Sequence, residues 1–401
     1  MPDRYRVCHN FGFNTHAQTL TAGMQPLSVH SVNAVLRRMP KVELHCHLLG
    51  TVRPDTWSDL ARKHGVALPD GGDAGYLYAH INSRNAPSDR YIHARIPFPP
   101  PDPGWDEEPA YSLLAISPVV ARSIVEAADF ERIAYESLTD AATSSNTVYR
   151  EMSFEPTAYF PHGVRYATMV DGLAAGLRAA ETDWGIRAQL LVGINREESS
   201  QQAVQLVQEM LRTPRAEVVG IGLDNFEIPG PPEKFVEAYA LAERHGLHRT
   251  AHAAEHDASA RNVVTCLDQL HCERIDHGYF VLQDAAVVRR CRDEGVVFAS
   301  VFTTSRRAWR PWRRASIRAM VEQGLRVSLA SDDPAMFPTT LAREYLIGAQ
   351  QVGFELATLR QLNLNGVDGA WLDDAEKARL RERIQAETDA LQAQLAADPL
   401  D

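Results

Sequence analysis

Four short stretches, far apart along the chain, carry side chains that bind metals or move protons: His45-Cys46-His47, His252-Ala253-Ala254-Glu255, Asp276-His277-Gly278 and Ser331-Asp332-Asp333-Pro334. Neutral imidazole and carboxylate are ordinary zinc ligands, and three histidines with one aspartate leave room for the water that a hydrolytic site must activate. A strand repeats every two residues, so both imidazoles of the first stretch project from one face while Val42, Leu44, Cys46 and Leu48 cover the other. Alone, such a pair is more often two surface or hydrogen-bonded histidines. Convergence with the other three stretches predicts one Zn2+ per chain.

His252 ends the strand-like Leu247 to Ala251 and is read as the third imidazole ligand. The segment also spells H-x-x-E-H through His256, the inverted zinc-peptidase signature, but that motif needs a helix to bring its two histidines to one face. Glu255 is then free to protonate a ring nitrogen as water adds to the neighbouring carbon, the competing role being a helix-start acid serving the macrodipole. His277 lies at a strand end and is placed to orient or deprotonate water, whose pKa a catalytic zinc lowers to about 7; a lone histidine there is otherwise a satisfied core residue. Adjacent Asp332 and Asp333 point in different directions, so one can ligate while the other binds substrate; the bland counterpart is an Asp-Asp-Pro turn.

These residues need a scaffold that gathers distant strand ends. Eight β-like runs, 41–48, 147–154, 187–195, 218–224, 248–253, 273–277, 296–302 and 325–331, alternate with amphipathic stretches such as Pro232 to His245 and Asp284 to Glu294, several closed by glycine. That rhythm predicts an α/β fold, a (β/α)8 TIM-type barrel, with a doubly wound open sheet as the alternative; closure is favoured because ligands from runs one, five and eight meet only around a barrel mouth. The expected organisation is an N-terminal extension over 1–40, a barrel over 41–372 and a C-terminal helix over 373–401 packed outside it. An insertion at about 70–111, rich in Pro, Gly and Asp, departs from the rhythm and is read as non-core, either a solvated loop or a lid over the barrel mouth.

The chain has 401 residues, 45% hydrophobic and 23% charged, enough for a large core. Its net charge of −11 argues against nucleic-acid and membrane-surface partners and leaves small molecules. No apolar leader or long apolar run is found, which reads as cytoplasmic. Five scattered cysteines without C-x-x-C spacing indicate neither a disulfide framework nor a structural cysteine site, and oligomeric state has no signal in the sequence.

Met39 to His47, His252 to Glu255, Arg274 to Gly278 and Ser331 to Pro334, in this order over roughly 39–372, resemble the adenosine/adenine deaminase branch of the amidohydrolase superfamily. Gly222-Leu223-Asp224 followed by Glu227 looks closer to the adenine deaminase type. The resemblance implies one zinc held by His45, His47, His252 and Asp332, Glu255 protonating purine N1, His277 handling the attacking hydroxide and Asp333 bonding N7. It places Leu49, Gly222, Asn225 and Glu227 with Asp333 at the substrate. This chain departs from the family in having Leu49 where a polar residue contacts the ribose or base, in Asn225 where a glycine is usual, and in Val301 to Arg307 after run seven.

Arg306, Arg307, Arg310, Arg313 and Arg314 cluster with Trp309 and Trp312 in an acidic protein. They are either a solvated loop and helix or, through Arg306 and Arg307, an anion site for a phosphate or carboxylate on an enlarged substrate. The function expected is thus a zinc-dependent hydrolytic deaminase of a 6-aminopurine. An enzyme cleaving another C–N bond with the same site, or a non-catalytic binding relative, are the competing readings.

Overall fold

The computed structural model describes residues 27–81, 113–304 and 310–398. Nine strands account for the eight expected runs: β1 (Lys41–Glu43), β2 (Thr147–Phe154), β3 (Arg187–Asn195), β4 (Val218–Asp224), β5 (His248–Arg249), β6 (His252–Ala253), β7 (Arg274–His277), β8 (Val297–Ser300) and β9 (Arg326–Leu329). All pairings are parallel, in the orders β1-β2-β3-β4-β5 and β6-β7-β8-β9. β5 and β6 are two halves of one run, stitched to both neighbours where Thr250 N donates to Ile221 O at 3.1 Å and Asp276 N to Ala251 O at 3.0 Å. On the opposite flank Cys46 bridges Asp332, with His47 N donating to Asp332 O at 2.9 Å. The ring is therefore complete, the fold is a (β/α)8 barrel, and the open sheet is set aside.

Strands buried on both faces must be apolar or internally paired. β2 is buried along its whole length, its Arg150 held by Glu43 at 2.6 Å. Outside the ring, the helices Ala127–Ser145 and Tyr166–Trp184 touch through glycine: a Cβ at Gly172 would lie 2.1 Å from Ala127 O. Helix Leu356–Gly369 closes the end where the strands begin, packing Leu364 and Val367 against Val42, Leu44 and Val297.

The extension contributes a helix, Val29–Arg38, whose Val35 and Leu36 are buried in the main core. The C-terminal helix runs over Asp374–Ala397 and buries Ile384, Thr388 and Leu395. The insertion read as non-core is core at its start: helix Ala74–Ala79 buries Leu77 and Tyr78, and the Tyr78 ring stacks on Trp57 at 5.3 Å. Apolar side chains at the foot of a Pro/Gly-rich stretch found a partner in the preceding helix. Residues 82–112, with the question of a lid, lie outside the described residues. Among the described residues no helix is long and apolar enough to cross a membrane.

Candidate active site

The strand ends turn sharply inward at the mouth of the barrel. Asn225, Ala254, His277 and Asp332 follow or end β4, β6, β7 and β9 with φ of 73°, 53°, 70° and 62°. A non-glycine residue pays of order 1–3 kcal/mol for this left-handed conformation, which persists only where the surroundings enforce it. Four such residues around one mouth redirect the chain so that successive side chains face a common point.

At that point His45 Nε2 lies 3.2 Å and His47 Nε2 3.3 Å from Asp332 Oδ1, and His47 Nε2 lies 3.2 Å from His252 Nε2. One donor atom from each of His45, His47, His252 and Asp332 falls within 4.8 Å of the others. Behind them stand carboxylates that orient the rings: Asp276 Oδ1 is 3.5 Å from His45 Nδ1, and Asp224 reaches His252 Nδ1 at 3.4 Å and His47 Nδ1 at 3.7 Å. Such outer carboxylates fix tautomer and direction in metal-binding histidines. Ser153 Oγ and Thr250 Oγ1 donate in turn to Asp224 at 2.8 Å and Asp276 at 3.0 Å.

The electrostatics agree with a cation-binding centre. Burial opposes a charge on His47, yet its bond to Asp332 and the charges of Asp333 and Asp224 lift it to about 10. His252 is instead driven well below the ordinary value by burial and by His45 and His47, so it offers a neutral nitrogen. Asp332 stays ionised against its burial because His45 and His47 donate to it. Three imidazoles and an ionised carboxylate, all aimed inward, fit a divalent metal of the zinc type.

Beside this cluster Glu255 is 6% exposed, and burial pushes its carboxyl up to about 7 while Arg313 pulls the other way. Its Oε2 lies 3.6 Å from His277 Nε2. The tautomer of His277 follows from hydrogen-bond bookkeeping. Tyr279 Oη donates its one proton to Val301 O at 2.9 Å, so toward His277 Nδ1, at 3.1 Å, it acts as acceptor. The Nδ1 of His277 therefore carries the proton, its Nε2 is left as a base facing Glu255, and burial keeps the ring neutral.

Glu227, expected at the substrate, has another task. Its carboxylate, 1% exposed, accepts from Ala254 N at 2.6 Å, Glu255 N at 2.9 Å, His256 N at 3.0 Å, Asp257 N at 3.0 Å and Asn262 Nδ2 at 2.7 Å. Saturated in this way, it shapes the loop that carries Glu255 and has nothing left for a ligand. Gly222 is likewise displaced from its expected role: it lies below the mouth beside Leu44, Cys46 and Asp276, where the main cavity does not reach. The peptidase alternative fails because β6 runs into the left-handed Ala254, not a helix, and His256 sets its Nε2 3.2 Å from Glu255 Oε1, outside the ligand cluster.

A cavity of about 430 Å³ opens over the cluster, walled by Leu49, Asn225, Glu255, His277 and Asp333 as expected. Burial and the charge of Asp332 raise Asp333 to about 7. The loop after β1 comes so close to it that a Cβ at Gly50 would lie 2.1 Å from Asp333 Oδ1. The far wall includes Glu155 and Asn195, which sequence reasoning missed; Glu155 accepts from Asn195 Nδ2 at 3.0 Å and Asn225 Nδ2 at 2.7 Å. Asp224 and Asp276 were also missed as orienting groups. Each is an acid at or near the end of a largely buried strand, and that signal was there to read. Arg306 and Arg307 lie outside the described residues.

A donor set of this kind, with an acid and a neutral imidazole beside it, is the equipment of a metal-dependent hydrolase. The sequence profile of the family described as "Adenosine deaminase" matches residues 40–89 and 113–387. An adenine deaminase of Rhodospirillum rubrum is 28% identical over 355 residues, 88% of this chain and 98% of that protein. One of Streptomyces coelicolor is 31% identical over 361 residues, 88% and 96% of the two. Among solved structures, a Burkholderia ambifaria amidohydrolase with bound Zn superposes with a TM-score of 0.81 at 33% identity, covering 94% of this chain and 98% of that one. The adenine deaminase of Arthrobacter aurescens gives 0.74 at 27% identity, covering 88% and 99%. The chain belongs to the adenosine deaminase family.

Proposed function

We propose that this protein hydrolyses the 6-amino group of adenine or a closely similar 6-aminopurine, releasing ammonia, with one zinc ion per chain held by His45, His47, His252 and Asp332. The observation that carries the reading is the placement of buried Glu255, its carboxyl raised to about 7, 3.6 Å from the neutral ring of His277, beside the ligand cluster and open to the cavity. Support for the substrate comes from the adenine deaminases that align along nearly their whole length with this chain. Zinc, when bound, supplies the Lewis acidity that readies water for attack near neutral pH.

The chain's own groups divide the remaining work. Glu255 gives its proton to N1 as water oxygen bonds to C6, and His277 Nε2 takes the proton that water loses. Returned to the 6-amino group, that proton lets the C6–N bond break, and the proton left on the new oxygen passes back to Glu255, so adenine and water yield hypoxanthine and ammonia with both groups restored. Asp333 bonds N7 on this reading, and Leu49, also on the cavity wall, puts an apolar side chain where a ribose hydroxyl would need a polar one. We further read the compartment as cytoplasmic and the partner as a small molecule alone.

Ammonia release by zinc-loaded protein from adenine, adenosine and AMP tests the reading. Adenine turnover well above the other two is expected. Release from simple amides with none from any 6-aminopurine would transfer the protein to another branch of C–N hydrolysis.

A further inference from the structure

The arginine-rich stretch after β8 has no place in the chemistry so far, yet one of its members is among the most buried charges in the molecule. Arg313, on helix Arg310–Glu322, is 0% exposed, and its Nη2 lies 3.3 Å from Glu255 Oε1. The same guanidinium stacks over the Tyr279 ring at 4.4 Å, and Tyr279 Oη is the acceptor that sets the tautomer of His277. The helix is anchored to this loop: Ser316 Oγ donates to Tyr279 O at 2.6 Å, and the Trp312 and Phe280 rings pack at 4.5 Å.

We infer that Arg313 is a positioning residue for the deamination, one that holds Oε1 of Glu255 as an acceptor so that the transferable proton sits on Oε2. The inference rests on the proposed role of Glu255 as the acid. A guanidinium has donors only, so the oxygen facing it cannot present a proton to it. His256 Nε2 stands on the same oxygen at 3.2 Å, and its Nδ1 has no hydrogen-bond partner, so the ring's one proton belongs on Nε2. Oε2 is thereby left for proton transfer, turned toward His277 and the ligand cluster. One cation thus orients the acid directly and the base through Tyr279, and it also offsets a carboxylate that would otherwise be buried among Asp332 and Glu227. Arginine suits the place because its flat fork can stack on a ring and donate sideways at once, which lysine cannot do.

The test uses the full-length, zinc-loaded protein and the variants Arg313→Met, Arg313→Lys and Glu255→Gln, with kcat, KM, zinc content, melting temperature and a crystal structure of the Met variant. For Arg313→Met we expect kcat on adenine to fall about 100-fold, the scale of misplacing a reacting group, with KM and zinc content unchanged and the Glu255 carboxyl rotated in the crystal. Arg313→Lys should fall between wild type and Met. Wild-type kcat in the Met variant, or equal losses in Met and Lys, would overturn the inference. Should the Met variant not fold, the Lys variant decides alone: a lowered kcat with unchanged KM, zinc content and melting temperature supports the role, and a wild-type kcat removes it. Full turnover by Glu255→Gln would instead sink the proposed function, whereas an inactive Gln variant beside an active Met variant would sink only the role of Arg313.

Discussion

The two ends of the barrel treat buried charge in opposite ways. Where the strands begin, the central buried cation meets its complement: Arg274 pairs with Glu151, donates to Leu44 O and Gly369 O at 3.1 Å each, and lies 3.8 Å over the Trp371 ring. Glu151 in turn accepts from Trp371 N at 2.7 Å and Tyr149 Oη at 2.7 Å. Where the strands end, Asp332 and Asp333 stand side by side, Glu255 and Asp333 are forced up to about 7, and four non-glycine residues have positive φ. The Arg274–Glu151 pair stabilises the fold, whereas the mouth crowds carboxylates together and holds strained backbone, and that is where chemistry is done.

The contrast breaks most completely at a ligand. Asp332→Ala should bring zinc content to background by elemental analysis and turnover below detection, while the fold persists by circular dichroism. The opposite end should respond in stability alone. Glu151→Ala strands Arg274 as a buried, unpaired cation and should cost about 3–5 kcal/mol in urea denaturation, with kcat per folded molecule unaltered; a large fall in kcat would erase the division between the ends. Asp224→Asn, which weakens the grip on the His47 and His252 rings, should loosen zinc about 10- to 100-fold in competition with a chelator.

The smallest effect is a pH slope. Burial, then the charge of Asp224, holds Glu155 at about 7 against 4.5 when unfolded. Between these values the folded state binds the extra proton, so this group's stabilisation is complete below about 4.5 and is lost as pH rises through about 7. Glu155→Gln should flatten that decline in the urea midpoint, and an unchanged slope would show that the carboxyl titrates normally.

Much of this arrangement was legible because it is periodic. Eight apolar runs stand out by their spacing, and the two-residue step from His45 to His47 places both rings on one face whatever surrounds them. Convergence of the runs at one mouth then follows from closure. What escaped is set by contacts without a period. Glu227 binds backbone amides 27 to 30 residues away, and no pattern of side chains announces an acceptor for main-chain donors. Asp224 and Asp276 touch histidines, not a substrate, so a search for reactive groups passes over them. Tyr78 and Arg313 lie in stretches whose composition suggests solvent, yet each is buried against an aromatic ring, Trp57 or Tyr279.

The ring closes between its first and last strands by a bridge at Cys46 and Asp332. The residues that stitch this seam flank or include three of the four metal donors. A bound ion therefore braces the join of first and last strands, and protein stripped by a chelator should keep its barrel but loosen first along the β1 to β9 seam, with amide exchange accelerated at His47 and Asp332 before it reaches β2 to β4.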